Sequence, residues 1–389
     1  MANKNLYIQT LIVISLLFLI SSCSTPYSPP QVSSSDSFLG LEDTIQQSQD
    51  KEAVLIVIHG MCDHKKPWIT KKVKQFSNIM EMEINFPNSS STDPLTLISS
   101  TSDGIEGYRA NLTRETSKES LTIYGIIYSQ PSYEKKQSLC SDVSSKTDVC
   151  SSDDITYQHE RATLNADLKN DLMNNCLADA VYYLGDGGDI IRSGVREVVD
   201  DIFKDIETDE QLKNSSISFI SESLGSKVLT DAILCDSASN IENRAHTLAK
   251  TQSIFLAANQ IPLLNLGHSN NNCAARSTRT YTNSQINSNQ NNWSILAELI
   301  SYHRQSVSQD LSGIKISSIT PINIVAFTDP NDLLSYEVTN ANVNSKSKIT
   351  NVTVSNANTW FGFAEHPMNA HTDYLKNNDV TQLIRWGND

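Results

Sequence analysis

One serine in this chain stands at a corner. In Ile217-Ser218-Phe219-Ile220-Ser221-Glu222-Ser223-Leu224-Gly225-Ser226-Lys227-Val228-Leu229, an apolar run stops at small residues and a helical pattern begins at once. On such a strand-to-helix turn the Ser223 hydroxyl is pushed clear of the backbone, and the N–H of the next residue can face a reacting carbonyl. The chemistry this suits is nucleophilic attack. A serine hydroxyl attacks only when a base removes its proton, and the base needs an acid to hold its tautomer. For the base, His371 in Ala370-His371-Thr372-Asp373-Tyr374 competes with His366, before Pro367. For the acid, Asp332, followed by Leu333-Leu334-Ser335, competes with Asp329, which precedes Pro330 and can make a local turn bond. His59-Gly60-Met61 ends an earlier apolar run. There the N–H groups of Met61 and Leu224 would face a developing oxyanion, and Gly60 would permit the tight turn. His59 itself reads as structural, and His64, His159, His246, His268 and His303 as surface or packing residues.

The pattern around the corner is S-x-S-x-G, with Ser221 where glycine is usual and Gly225 retained. Serine is the mildest departure at a position that needs a small side chain. The competing reading makes Ser223 the N-cap of a core helix, with Ser221 and Ser226 as bystanders.

The elements that must carry these residues follow from pattern. Ala53–Ile58 is apolar without alternation and β-branched, as a strand buried on both faces of a parallel sheet should be. Further strands are read at 121–128, 217–220, 253–257, 322–327 and 349–354. Helices are predicted near 68–79, from about 156 to 205 with a break at Gly185-Asp186-Gly187-Gly188, near 293–305, and over 378–386. Residues 85–118 are polar and read as connections with one further strand, and 267–292, dominated by Ser and Asn, as a surface insertion. Strands separated by helical crossovers imply an α/β fold with a doubly wound, mostly parallel sheet and helices on both faces. In such a sheet active groups gather at the C-terminal strand ends, where His59-Gly60-Met61, Ser223 and Asp329/Asp332 fall.

The net charge of −14 and the lack of a basic run argue against nucleic acid as a partner. Near the N-terminus, Lys4 precedes a short apolar run, Leu11 to Ile20, followed by Ser21-Ser22-Cys23. That arrangement resembles a bacterial lipoprotein signal. It implies removal of residues 1–22 and a lipid on Cys23. Ser24 is not the aspartate that resembles an inner-membrane retention signal, so the expected place is the outer membrane of a bacterial envelope. Residues 23–50 would be a flexible tether and 51–389 the catalytic domain. Besides Cys23, the chain has Cys62, Cys140, Cys150, Cys176, Cys235 and Cys273, an even number suited to disulfides. Cys140 and Cys150 flank a short polar loop and are the expected pair. No spacing supports a zinc site, and no metal or other cofactor is expected.

Taken together, the order Ser, Asp, His and the corner motif resemble a serine esterase or lipase of the α/β-hydrolase superfamily. A narrower likeness runs through Ala178-Asp179-Ala180-Val181-Tyr182-Tyr183-Leu184, Ile190-Ile191-Arg192 and Leu224-Gly225-Ser226. It is similar to DDHD-type phospholipases, although the metal-binding signature of that family is not visible. The resemblance implies a Ser223-His371-Asp332 triad acting on carboxylic esters, with lipid acyl esters as candidate substrates. The helical stretch 156–206 would then be a candidate cap over the pocket. The other readings are a catalytically silent binding protein of the same fold, or a hydrolase of amides, thioesters or lactones.

Overall fold

The computed structural model describes residues 23–33, 37–88, 90–234, 244–267, 292–306, 321–338, 347–360 and 365–388. The signal-like segment 1–22, most of the insertion at 267–292, and Cys235 and Cys273 lie outside them. Among the described residues ten strands form the central sheet. In chain order they are β1 (Gln31–Val32), β2 (Glu52–Ile58), β3 (Glu83–Asn85), β4 (Thr96–Ser100), β5 (Glu106–Arg114), β6 (Glu119–Ile127), β7 (Ser216–Glu222), β8 (Thr251–Ala257), β9 (Ile322–Thr328) and β10 (Ser347–Thr353). Across the sheet the order is β1-β10-β9-β8-β7-β2-β6-β5-β3, with β4 alongside β5.

From β10 through β6 every neighbouring pair is parallel. At the far side, β5 runs antiparallel to β6, and β3 and β4 antiparallel to β5; β1 closes the other edge antiparallel to β10. The sheet is therefore mixed, with a parallel centre. Residues 85–118, expected to be connections with one strand, instead supply β4 and β5 and the end of β3. Their polar residues alternate with Tyr108, Ala110 and Leu112, which are buried. Such half-buried antiparallel strands lack the continuous apolar run that marks the centre.

Alternate residues of the central strands feed two cores. Val54, Ile56 and Ile58 face one, and Ala53, Leu55 and Val57 the other. The first is closed by α4 (Ala178–Leu184), α5 (Gly187–Thr208), α6 (Gly225–Leu234) and α7 (Asn292–Ser306). The second is closed by α1 (Leu41–Gln47), α2 (Lys66–Met80) and α9 (Asn378–Trp386). In α5, Val195, Val198, Val199, Ile202, Phe203 and Ile206 make one stripe, and all are buried.

Residues 23–50 do not form a featureless tether. Leu41 and Ile45 of α1 are fully buried, Phe38–Leu39 pairs with Gly387–Asn388, and the Cys23–Ser24 backbone pairs with Thr359–Trp360. The Ser/Pro bias of this stretch hid an apolar spacing of four residues. Among the described residues two disulfides are present, Cys140–Cys150 and Cys62–Cys176. Among the described residues no helix is long and apolar enough to cross a membrane, and no group of three or more His, Cys, Asp or Glu side chains could hold a metal ion.

Candidate active site

β7 delivers Ser223 into a sharp turn before α6. The serine has φ +53°, a left-handed conformation that costs a non-glycine residue on the order of 1 kcal/mol and persists only where its surroundings impose it. Those surroundings are dense. The Ser223 N–H donates to the Ala257 carbonyl at 2.8 Å, and the Ser226 hydroxyl donates to the Ser223 carbonyl at 2.7 Å. A Cβ on Gly60 would lie 2.6 Å from the Ser223 Cβ, and one on Gly225 would lie 2.3 Å from the His59 carbonyl oxygen. Both glycines are thus required by close approach. Ser221 is fully buried between Ile58 and Leu256 of the flanking strands, and among the described residues its hydroxyl has no hydrogen-bond partner. Its small volume is what the position uses.

The Ser223 Oγ lies 2.8 Å from His371 Nε2. On the other side of the ring, Nδ1 lies 2.8 and 2.9 Å from the two carboxylate oxygens of Asp332. An ionised carboxylate can only accept, so Nδ1 carries the proton and Nε2 is left as the acceptor for the serine hydroxyl. His371 sits on α8 (Pro367–Thr372), a short helix opened by a proline, and Asp332 in the turn after β9. Asp332 also accepts from the Leu334 N–H at 2.9 Å and the Tyr374 hydroxyl at 2.9 Å. Tyr374 in turn accepts from the Asp329 N–H at 2.8 Å.

The alternatives occupy different ground. Asp329 is fully buried and accepts from the N–H groups of Asn331 and Asn356. Burial raises its carboxyl above the usual range. Glu365 lies against it and is raised further, to about 7, by burial and then by the Asp329 charge. His366 is exposed and occupies the N-cap position of α8 without a side-chain capping bond.

Next to Ser223 lies the loop after β2. Among the described residues, neither the Met61 nor the Leu224 main-chain N–H has an acceptor within the protein. The Cys62 N–H donates to Asp179 at 2.8 Å, and Cys62 is also bonded to Cys176. The Asp179 carboxylate further accepts from Ser132 and pairs with Lys136 at 3.0 Å. These contacts give Asp179 of the Ala178–Leu184 segment a place beside the site. Sequence reading missed them, along with Tyr374 and the Cys62–Cys176 pair; long separations along the chain left no local signal.

A cavity of about 210 Å³ opens beside Ser223, lined by Gly60, Met61, Trp68, Lys72, Glu222, His371 and Leu375 among others. Lys72 pairs with Glu222 at 2.5 Å and lies over the Trp68 ring. No residue of 156–206 lines it. The apolar stripe of that stretch is used against the sheet, and no helix there covers the pocket.

No family model and no curated protein matches the chain. Among solved structures, acetyl xylan esterase 1 from Thermoanaerobacterium sp. aligns over 81% of this chain and 91% of its own, at 6% identity and a TM-score of 0.23. A likeness that weak carries no argument, and the function has to be read from the site.

Proposed function

We propose that this protein is a serine hydrolase of the α/β-hydrolase type that cleaves carboxylic esters, with Ser223 as nucleophile, His371 as base and Asp332 as the acid that orients it. The observation that carries the reading is the continuous chain of hydrogen bonds from Ser223 Oγ through His371 to Asp332, with the serine on a left-handed turn. In this account His371 takes the Ser223 proton as Oγ attacks the ester carbonyl. The oxyanion of the tetrahedral intermediate accepts from the free N–H groups of Met61 and Leu224. His371 returns the proton to the departing alcohol, leaving an acyl-enzyme. A water molecule, activated by the same histidine, then releases the acid. No cofactor enters these steps.

The cavity beside Ser223 has polar groups as well as Trp68 and Leu375 at its walls, which suits a short acyl group better than a long chain. We further propose that the mature protein is a lipoprotein anchored through Cys23 to the bacterial outer membrane. Hydrolysis of p-nitrophenyl esters of increasing acyl length tests the activity and its range. Turnover that is undiminished in Ser223→Ala would remove the mechanism. Labelling with a clickable fatty acid that persists in Cys23→Ala would remove the anchor.

A further inference from the structure

Met61 and Leu224 were singled out for their N–H groups alone, and nothing in the triad explains why the Met61 N–H should point at the oxyanion. The loop itself supplies a reason. The Gly60 carbonyl accepts two hydrogen bonds, from the Tyr128 hydroxyl at 2.8 Å and from His59 Nδ1 at 2.7 Å. The tautomer follows from the far side of the ring, where His59 Nε2 accepts from the Tyr128 N–H at 2.9 Å. Burial lowers the His59 imidazole well below its ordinary range, so the ring stays neutral with its proton on Nδ1. The two rings stack with centroids 4.0 Å apart and planes within 7°. Both side chains are almost completely buried.

The Gly60 carbonyl and the Met61 N–H belong to one peptide plane, and in a trans peptide they point in opposite directions. Two donors on the carbonyl therefore fix where the N–H aims. They also polarise the peptide, which strengthens the N–H as a donor. The following peptide is fixed as well, because the Cys62 N–H donates to Asp179. Met61 is thus held from both sides while its own N–H has no acceptor among the described residues.

We infer that Tyr128 and His59 are positioning residues that clamp the Gly60 carbonyl and so aim the Met61 N–H at the oxyanion of the reaction. The inference rests on the proposed serine-hydrolase mechanism. Neither residue touches the substrate. Each acts through the Gly60–Met61 peptide.

The test is Tyr128→Phe, which deletes one hydroxyl and leaves the stacked ring. Three quantities are measured on wild type and variant: kcat and KM for a short-chain p-nitrophenyl ester, the inhibition constant of an alkyl boronic acid, and the melting temperature. The boronic acid forms a tetrahedral adduct on the serine and therefore reads the oxyanion site directly. We expect kcat to fall about tenfold, less than for loss of a donor outright, with the boronic acid weakened by a similar factor and KM within about twofold. His59→Asn, which keeps an N–H near the Gly60 carbonyl, is the second variant and should retain more activity than His59→Ala. Folded Tyr128→Phe with kcat and boronic acid affinity within about twofold of wild type overturns the clamp, as does a loss confined to KM. Fluorophosphonate labelling of wild-type Ser223 separates the failures. If Ser223 is labelled and Tyr128→Phe is unimpaired, only the clamp fails; if Ser223 is not labelled, the mechanism beneath it fails.

Discussion

Ser223 and the Gly60–Met61 loop sit where β2, β7 and β8 end side by side, so their geometry is imposed by the sheet. Asp332 reaches the same point from the turn after β9 and His371 from α8 beyond β10, held by side chains and not by strand register. On the first side two glycines approach backbone and side-chain atoms so closely that an added methyl has no room. On the second side the Tyr374 hydroxyl and the Leu334 N–H fix Asp332, and Asn331, Asn356 and Glu365 gather round Asp329. The contrast teaches that Ser223 is positioned by packing, whereas His371 and Asp332 are positioned by polar contacts. The two halves should therefore break differently.

The largest effects belong to the reacting groups. Ser223→Ala or His371→Ala should each lower kcat by about four orders of magnitude or more while KM changes little, measured by steady-state ester hydrolysis. Next comes the packing side. Gly225→Ala forces a Cβ into the His59 carbonyl. It should abolish activity and lower the melting temperature, a joint loss that a damaged loop would not give.

The polar side divides more finely. Asp332→Asn leaves His371 with the wrong tautomer and should cost about three to four orders of magnitude in kcat. Asp329→Asn keeps the Asp332–His371 contact and should cost no more than about tenfold, since Asp329 contacts neither His371 nor Ser223. Equal losses in the two variants would reverse the assignment of the acid. A milder probe is Tyr374→Phe. It removes one of the hydrogen bonds to Asp332 and should lower kcat by about threefold to tenfold, consistent with one buried hydrogen bond.

The smallest effect concerns pH. The Glu365 carboxyl has its folded value raised to about 7 from an ordinary 4.5 by burial and by Asp329. The folded state then holds a proton that the unfolded chain releases. This contribution to stability is fully present below about 4.5 and is lost as pH rises through about 7. Glu365→Gln should flatten the decline in melting temperature across that window, followed by thermal unfolding at several pH values. An unchanged slope would assign the decline to other groups.

The same contrast explains what could be read from the sequence. Strand, corner and helix around Ser223 are consecutive, so Ile217 to Leu229 displays the whole device in one line. The buried strands β2, β8 and β9 are equally legible because both faces need apolar residues. The acid and base could be narrowed to two aspartates and two histidines but not resolved, because choosing between Asp329 and Asp332 depends on Tyr374, more than forty residues away. Strands β4 and β5 hid in polar composition, since one face of each strand needs only alternate apolar residues. Cys62–Cys176 spans 114 residues and has no local signature. The helical stretch over 156–206 showed its apolar stripe clearly, but a stripe does not say whether it faces a sheet or a pocket.

The central claim is that the Ser223 hydroxyl is activated by His371. Intact-mass spectrometry after incubation with a fluorophosphonate tests it most directly. The account predicts a single adduct on Ser223, absent in Ser223→Ala and formed far more slowly in His371→Ala. A wild-type protein that gains no adduct, or one whose adduct persists in Ser223→Ala, would contradict it.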